Sequence, residues 1–217
     1  MSGQSPGKQS LVPRYHAIEE LIRREVADFS DDQLDWQSEQ WGWSKWSIRR
    51  NLSHIANTLF KTIMLQMRDQ IWPAGDAPHI PDLQHIVPSP GARHLDEMTF
   101  HEAEDILRVV GEGIALVQSL LERETDESLR LKKISGPAGP YLPMLAETGT
   151  AGIKLLPGDP QTVELTLAGV ILTIYYEAIT HLYNIQRLKR AQGLTATSSL
   201  PQEGFWVLSG WDRSEPG

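Results

Sequence analysis

Trp46-Ser47-Ile48-Arg49-Arg50-Asn51-Leu52-Ser53-His54-Ile55-Ala56-Asn57 and Glu177-Ala178-Ile179-Thr180-His181-Leu182-Tyr183-Asn184-Ile185 are the stretches whose reading decides the fold. Each reads as helix and each carries metal-capable side chains. Residues four apart share a helical face, so Glu177 and His181 aim a carboxylate and an imidazole at one point. His54 adds a third ligand if its helix packs against theirs. Three protein ligands leave coordination positions open, as catalytic sites require.

Working outward from these two stretches, Ile18, Leu21, Ile22 and Val26 form one apolar stripe, which predicts a first helix over residues 15–29. Ser47 is the natural N-cap of a second helix, with Leu52, Ile55, Leu59, Ile63 and Met67 facing inward, running to Ile71 before Trp72-Pro73 stops it. Residues 72–98 are rich in proline and have no period, a long loop. Thr99-Phe100-His101-Glu102 reads as a capping box opening a third helix that buries Ile106, Val109, Val110, Ile114, Val117 and Leu120. A Gly- and Pro-rich segment, 135–159, follows, in which Leu131, Ile134 and Ile153 to Leu156 could form a short hairpin. The fourth helix runs from about Val163 to Gln192 and ends at Gly193, a favoured C-cap. Four amphipathic helices without a strong strand pattern predict an all-α bundle with long irregular inserts between helices two and three and between three and four. Residues 1–13 are expected to be a flexible N-terminus and 14–193 the bundle. Residues 194–217 form a tail whose Phe205, Trp206, Val207, Leu208 and Trp211 must be covered by the bundle or by a partner subunit.

The two quoted stretches also resemble the DinB/YfiT-like superfamily. Trp46-Ser47, then His54-Ile55 after six residues, is similar to the second helix of that family. The family's terminal His-x-x-x-His-x-x-Gln-Ile reads here as Glu177-x-x-x-His181-x-x-Asn184-Ile185, so Glu177 stands where the family has a histidine. The resemblance spans residues 14–193. It implies an antiparallel four-helix bundle, a divalent metal (Zn, Ni, Fe or Mn) at the positions of His54, Glu177 and His181, a homodimer, and a small-molecule substrate. Characterised relatives imply a hydrolase or a transferase of a low-molecular-weight thiol. The alternative is a bundle that has lost or altered its metal site and serves as a binding module.

Chemistry accommodates the exchange at position 177. Two histidines with one carboxylate make a recognised catalytic zinc set, and the same set with open positions suits ferrous iron. Against this stand plainer readings: His54 as a core histidine bonded to a carbonyl, and Glu177 facing solvent. If buried, Glu177 must be paired or metal-bound. Asn57 and Asn184 share faces with His54 and His181 and could orient a ligand. Trp36, Trp41, Trp43 and Trp46 could line a pocket mouth, whereas His79, His85 and His94 are expected in solvent, as are His16 and His101.

Composition removes several function classes. A net charge of -8 argues against a general nucleic-acid binder. The chain has no cysteine, which excludes disulfides, thiolate ligands and a cysteine nucleophile. The strongest apolar run, Leu165 to Ile174, is about half of the ~20 residues that span a bilayer, so no membrane segment is expected. The first dozen residues lack a secretory apolar core, which makes the cytoplasm the expected compartment.

Overall fold

The structure, a computed structural model, describes residues 6–216. Four long helices build the bundle: α1 (Lys8–Val26), α2 (Ile48–Phe60), α3 (Ala103–Arg123) and α4 (Leu167–Ala191). α1 and α2 each pack against both α3 and α4. Their directions follow from named contacts. Gln118 donates to the Tyr15 carbonyl and Lys8 to that of Glu122, so α1 and α3 are antiparallel. His181 meets Asn51 while Thr62 and Ile174 share one cleft further along, so α2 and α4 are antiparallel too. Tyr15 bonds to Ile171 and Glu25 to Lys189, which makes α1 parallel to α4. Gly113 abuts Leu59 and Arg123 reaches the Ile71 carbonyl, which makes α2 parallel to α3. Consecutive parallel helices need a connection that climbs back along the bundle. Residues 72–102 make that climb, with a single short helix, Leu83–Ile86, on the way.

Ser47 caps α2 as its sequence predicts, its hydroxyl accepting from Arg50 N–H at 3.2 Å. The helix then widens into a π-helical turn, Lys61–Gln66, closed by Met67 N–H to the Thr62 carbonyl at 3.0 Å. Such turns are rare and frequent at functional sites.

Several boundaries differ from expectation. The flexible N-terminus expected for residues 1–13 falls partly on 1–5, outside the described residues. From Lys8 the chain is helical despite Pro13, because Leu11 is buried in the core and Lys8 N–H is anchored on Asp126 Oδ1 at 2.9 Å. Thr99 does not cap α3. Its hydroxyl is committed to Asp96 at 3.0 Å, and Glu102 takes the N-cap position. α4 starts at Leu167 rather than near Val163, capped by Thr166, because the preceding residues are a strand.

The second insert is a three-stranded antiparallel sheet rather than a hairpin: β1 (Lys133–Pro137), β2 (Ile153–Leu156) and β3 (Asp159–Thr166), in the order β1-β3-β2. It approaches the first turn of α4 closely, backbone against backbone at Gly152 and Gly169. A Cβ on Gly169 would lie 2.3 Å from the Gly152 carbonyl oxygen, and Gly152 itself has φ +83°. Only glycine suits both positions.

The tail lies across the bundle, with Phe205 and Trp206 buried and Phe205 N–H bonded to Thr180 Oγ1 at 2.9 Å. Arg187, fully buried, donates to the carbonyls of Asp212 and Ser214 and lies over the rings of Trp43 and Tyr183. This chain therefore covers the apolar part of its own tail. Among the described residues no helix is long and apolar enough to cross a membrane.

Candidate metal centre

The antiparallel packing of α2 on α4 brings His54, Glu177 and His181 together. One ligand atom from each lies within 4.8 Å of the others. Glu177 Oε2 is 3.4 Å from His181 Nε2 and 3.8 Å from His54 Nε2. Both histidines are buried, while the Glu177 side chain keeps 37% of its exposure.

Each imidazole is held by its other nitrogen. His54 Nδ1 lies 2.6 Å from the Arg93 carbonyl, which can only accept, so Nδ1 carries the proton. His181 Nδ1 lies 2.7 Å from Asn51 Oδ1. The Asn51 amide nitrogen donates to the carbonyls of Ser47 at 2.8 Å and Trp46 at 3.3 Å, which turns its oxygen toward His181. Outward donation of this kind fixes tautomer and ring orientation in metal-bound histidines. A neutral ring at either position then directs its Nε2 lone pair at the Glu177 carboxylate.

Burial and hydrogen bonding pull the charges of His181 and Glu177 in opposite directions. Burial lowers the pKa of His181, with the Glu177 carboxylate acting against it. Burial alone raises that of Glu177, but its bonds to the His181 and His54 rings outweigh this and hold the carboxyl well below the usual carboxylate range. An ionised carboxylate facing a ring whose burial disfavours the imidazolium is a seat for a cation. The donor set, two imidazole nitrogens and one carboxylate oxygen, fits a zinc or ferrous ion with positions to spare.

Trp46 closes one side. Its ring stacks on His181 at 5.6 Å between centroids, tilts against His54 at 5.2 Å, and carries the Arg93 guanidinium 4.5 Å above it. Of the four tryptophans expected at a pocket mouth, Trp46 is the one on the centre. Trp41 and Trp43 stack on each other, and Trp43 donates to Ser214 of the tail.

Other expectations need correction. Asn184 turns its oxygen away from the centre, accepting from Arg187 at 2.5 Å. Asn57 donates to the carbonyls of Ile86 and His94 and so fastens the climbing loop whose Arg93 carbonyl holds His54. His94 is not solvated. It packs edge-on against Trp46 at 4.5 Å, and burial, aided by the nearby His54, pushes its pKa down to about 4. Asn51 is the residue that sequence reading missed. The available signal was its place four residues after the Ser47 cap and three before His54.

No protein-family model matches the chain, and no curated protein matches it. Among solved structures it is similar to YfiT from Bacillus subtilis, described as a probable metal-dependent hydrolase with an unusual four-helix bundle topology. The TM-score is 0.57 at 15% identity, over 87% of this chain and 89% of that one. At that identity the likeness establishes the fold alone, a four-helix bundle with the same topology.

Proposed function

We propose that this chain, a DinB/YfiT-like bundle, is a divalent-metal-dependent hydrolase of a small molecule. One observation carries the reading: Nε2 of His54, Nε2 of His181 and Oε2 of Glu177 converge while both Nδ1 atoms are engaged elsewhere. The similarity to a probable metal-dependent hydrolase supports it.

His54, Glu177 and His181 would hold the ion. When bound, such an ion supplies Lewis-acid polarisation and makes a nucleophile available near neutral pH. The chain's own residues do the rest. The Arg93 carbonyl and Asn51 keep both rings in the ligand tautomer, and Trp46 shields the His181 face from water. Glu177 leaves the centre open on one side, where a substrate can approach. Thr58 Oγ1, 3.4 Å from His54 Nε2, stands at that opening.

The test is elemental analysis of the purified chain beside His54→Ala and His181→Ala, followed by ester and amide hydrolysis after loading with Zn, Ni, Fe(II) or Mn. Stoichiometric metal in the wild type, lost in both variants, and metal-dependent turnover are expected. Equal trace metal in all three proteins would overturn the reading. Turnover that appears only with an added thiol would replace hydrolase by S-transferase, because the chain supplies no cysteine of its own.

A further inference from the structure

A cavity of about 260 Å³ opens beside the centre, with Glu177 at one end. It lies where four parts of the chain meet: α2 with its π turn, the inserted sheet and the turn after β1, the first half of α4, and the tail. Its apolar wall is Ile134, Leu142, Leu165, Val170, Ile174 and Phe205. Facing this wall is a polar line of Thr58, Thr62 and Gln66. In a uniform α-helix each four-residue step drifts by roughly 40°. The π turn at 61–66 offsets that drift and keeps all three side chains on one face. Glu177 is the only charged residue among the described residues lining the cavity.

We propose that this cleft is the substrate-recognition subsite, and that it selects an uncharged molecule with a short aliphatic or aryl group next to the bond attacked. The inference rests on the hydrolase reading for the bond that is cleaved, but not for binding itself. Three features carry it. The volume lies below the roughly 300–1,000 Å³ of sites for drug-sized ligands, which sets a small occupant. The wall lacks a cation, so in the metal-free chain a carboxylate or phosphate on the occupant would be desolvated without a partner and would face Glu177. The hydroxyls of Thr58 and Thr62 and the Gln66 amide offer neutral hydrogen bonds along one side, suited to a carbonyl or amide rather than an ion.

Two of the four parts that meet at the cleft, the sheet with its turn and the tail, lie outside helices α2 and α4, which hold the candidate ligand residues. Tyr141, in the turn after β1, stacks on Phe205 of the tail at 5.6 Å and joins the two walls. The sheet and tail therefore share in recognition with α2 and α4, which also carry the candidate ligands.

Methyl-resolved NMR of the full chain, metal-free and metal-loaded, tests this with hexanamide as the neutral probe and hexanoate as its charged counterpart. Hexanamide is expected to shift the methyls of Ile134, Leu142, Leu165, Val170 and Ile174 in both states, and in His54→Ala. In the metal-free chain hexanoate should bind at least tenfold more weakly. Leu142→Lys, at a half-exposed wall position, should invert that preference with metal content unchanged. In the loaded enzyme, kcat/KM for p-nitrophenyl esters should rise by about fourfold per acyl methylene until the cleft is full. Shifts scattered away from the wall, equal binding of hexanoate, or turnover indifferent to acyl length would overturn the subsite. Wall shifts with no turnover under any metal would instead sink the hydrolase and leave the subsite standing.

Discussion

Glu177 and Glu25 both meet helix α4, at residues 177 and 189, roughly 18 Å apart along its axis, and their surroundings are opposite in kind. Glu25, fully buried, accepts from Lys189 Nζ at 2.8 Å, from Gln186 Nε2 at 2.7 Å, and from the backbone N–H groups of Thr197 and Ser198. Every lone pair there has a proton, and the carboxylate ties the tail to α1 and α4. Glu177 faces two ring nitrogens that act as acceptors when their rings are neutral. The first arrangement is complete within the chain and is structural. The second leaves three convergent ligand atoms that could take a metal ion, and that is what marks it as a candidate site.

The largest effect should come from breaking the complete arrangement. Lys189→Met leaves Glu25 buried and unpaired, and is expected to remove about 3–5 kcal/mol of stability, read from urea midpoints. Metal content per folded molecule should not change. The same carboxylate sets an acid limit. Burial alone raises the Glu25 pKa, but its bonds to Lys189, Gln186 and Thr197 outweigh that and lower it. A depressed folded pKa means that the contribution is present above the unfolded value, about 4.3, and is lost as pH falls through the folded one. A midpoint that does not fall with pH in that window would separate Glu25 from the fold's stability.

Glu177→Gln should behave in the opposite way. In the metal-free chain its stability should stay within about 1 kcal/mol of the wild type, because the half-exposed carboxylate lacks a fixed cation partner. What it should lose is the gain on adding metal, about 2.7 kcal/mol at a hundredfold excess over Kd, seen as a Tm shift in the wild type only. Destabilisation as large as that of Lys189→Met would erase the contrast between the two carboxylates.

A finer test lies one bond behind the ligands. Asn51→Ala frees His181 to rotate and is expected to weaken metal binding 10–100-fold in a chelator competition. Smallest is Ser47→Ala, which removes the α2 cap and should lower stability by about 0.5–2 kcal/mol, with metal affinity unchanged if only the cap matters. Loss of affinity in that variant would show that the cap also positions Asn51 through the Ser47 carbonyl.

The centre was largely legible in the sequence because its residues are tied to helical spacing: Glu177 and His181 share a face, and His54 follows the Ser47 cap at a fixed distance. Even the plainer reading of His54 holds, since the carbonyl that takes Nδ1 is what frees Nε2. Asn51 escaped notice because a polar residue inside a helix has no periodic signature of its own. Asn184 misled because Arg187, one turn on, claims its oxygen. β3 was hidden because Val163 and Leu165 merge into the apolar start of α4, and a short apolar run does not distinguish strand from helix. Phe205 reached the cleft through the tail, by long-range packing that local sequence does not encode.

The π turn at 61–66 is, in hereditary terms, an α-helix carrying one residue too many. A π turn absorbs that residue, so deleting one there would restore α geometry and leave the far side close to its present register. His54 lies before the turn and would stay in place, and Thr58, Thr62 and Gln66 would then follow one another at spacings of four and three, which an α-helix keeps on one face. A lineage, or an engineer, could thus gain or lose the turn by an indel of one codon, without touching any residue of the candidate metal centre.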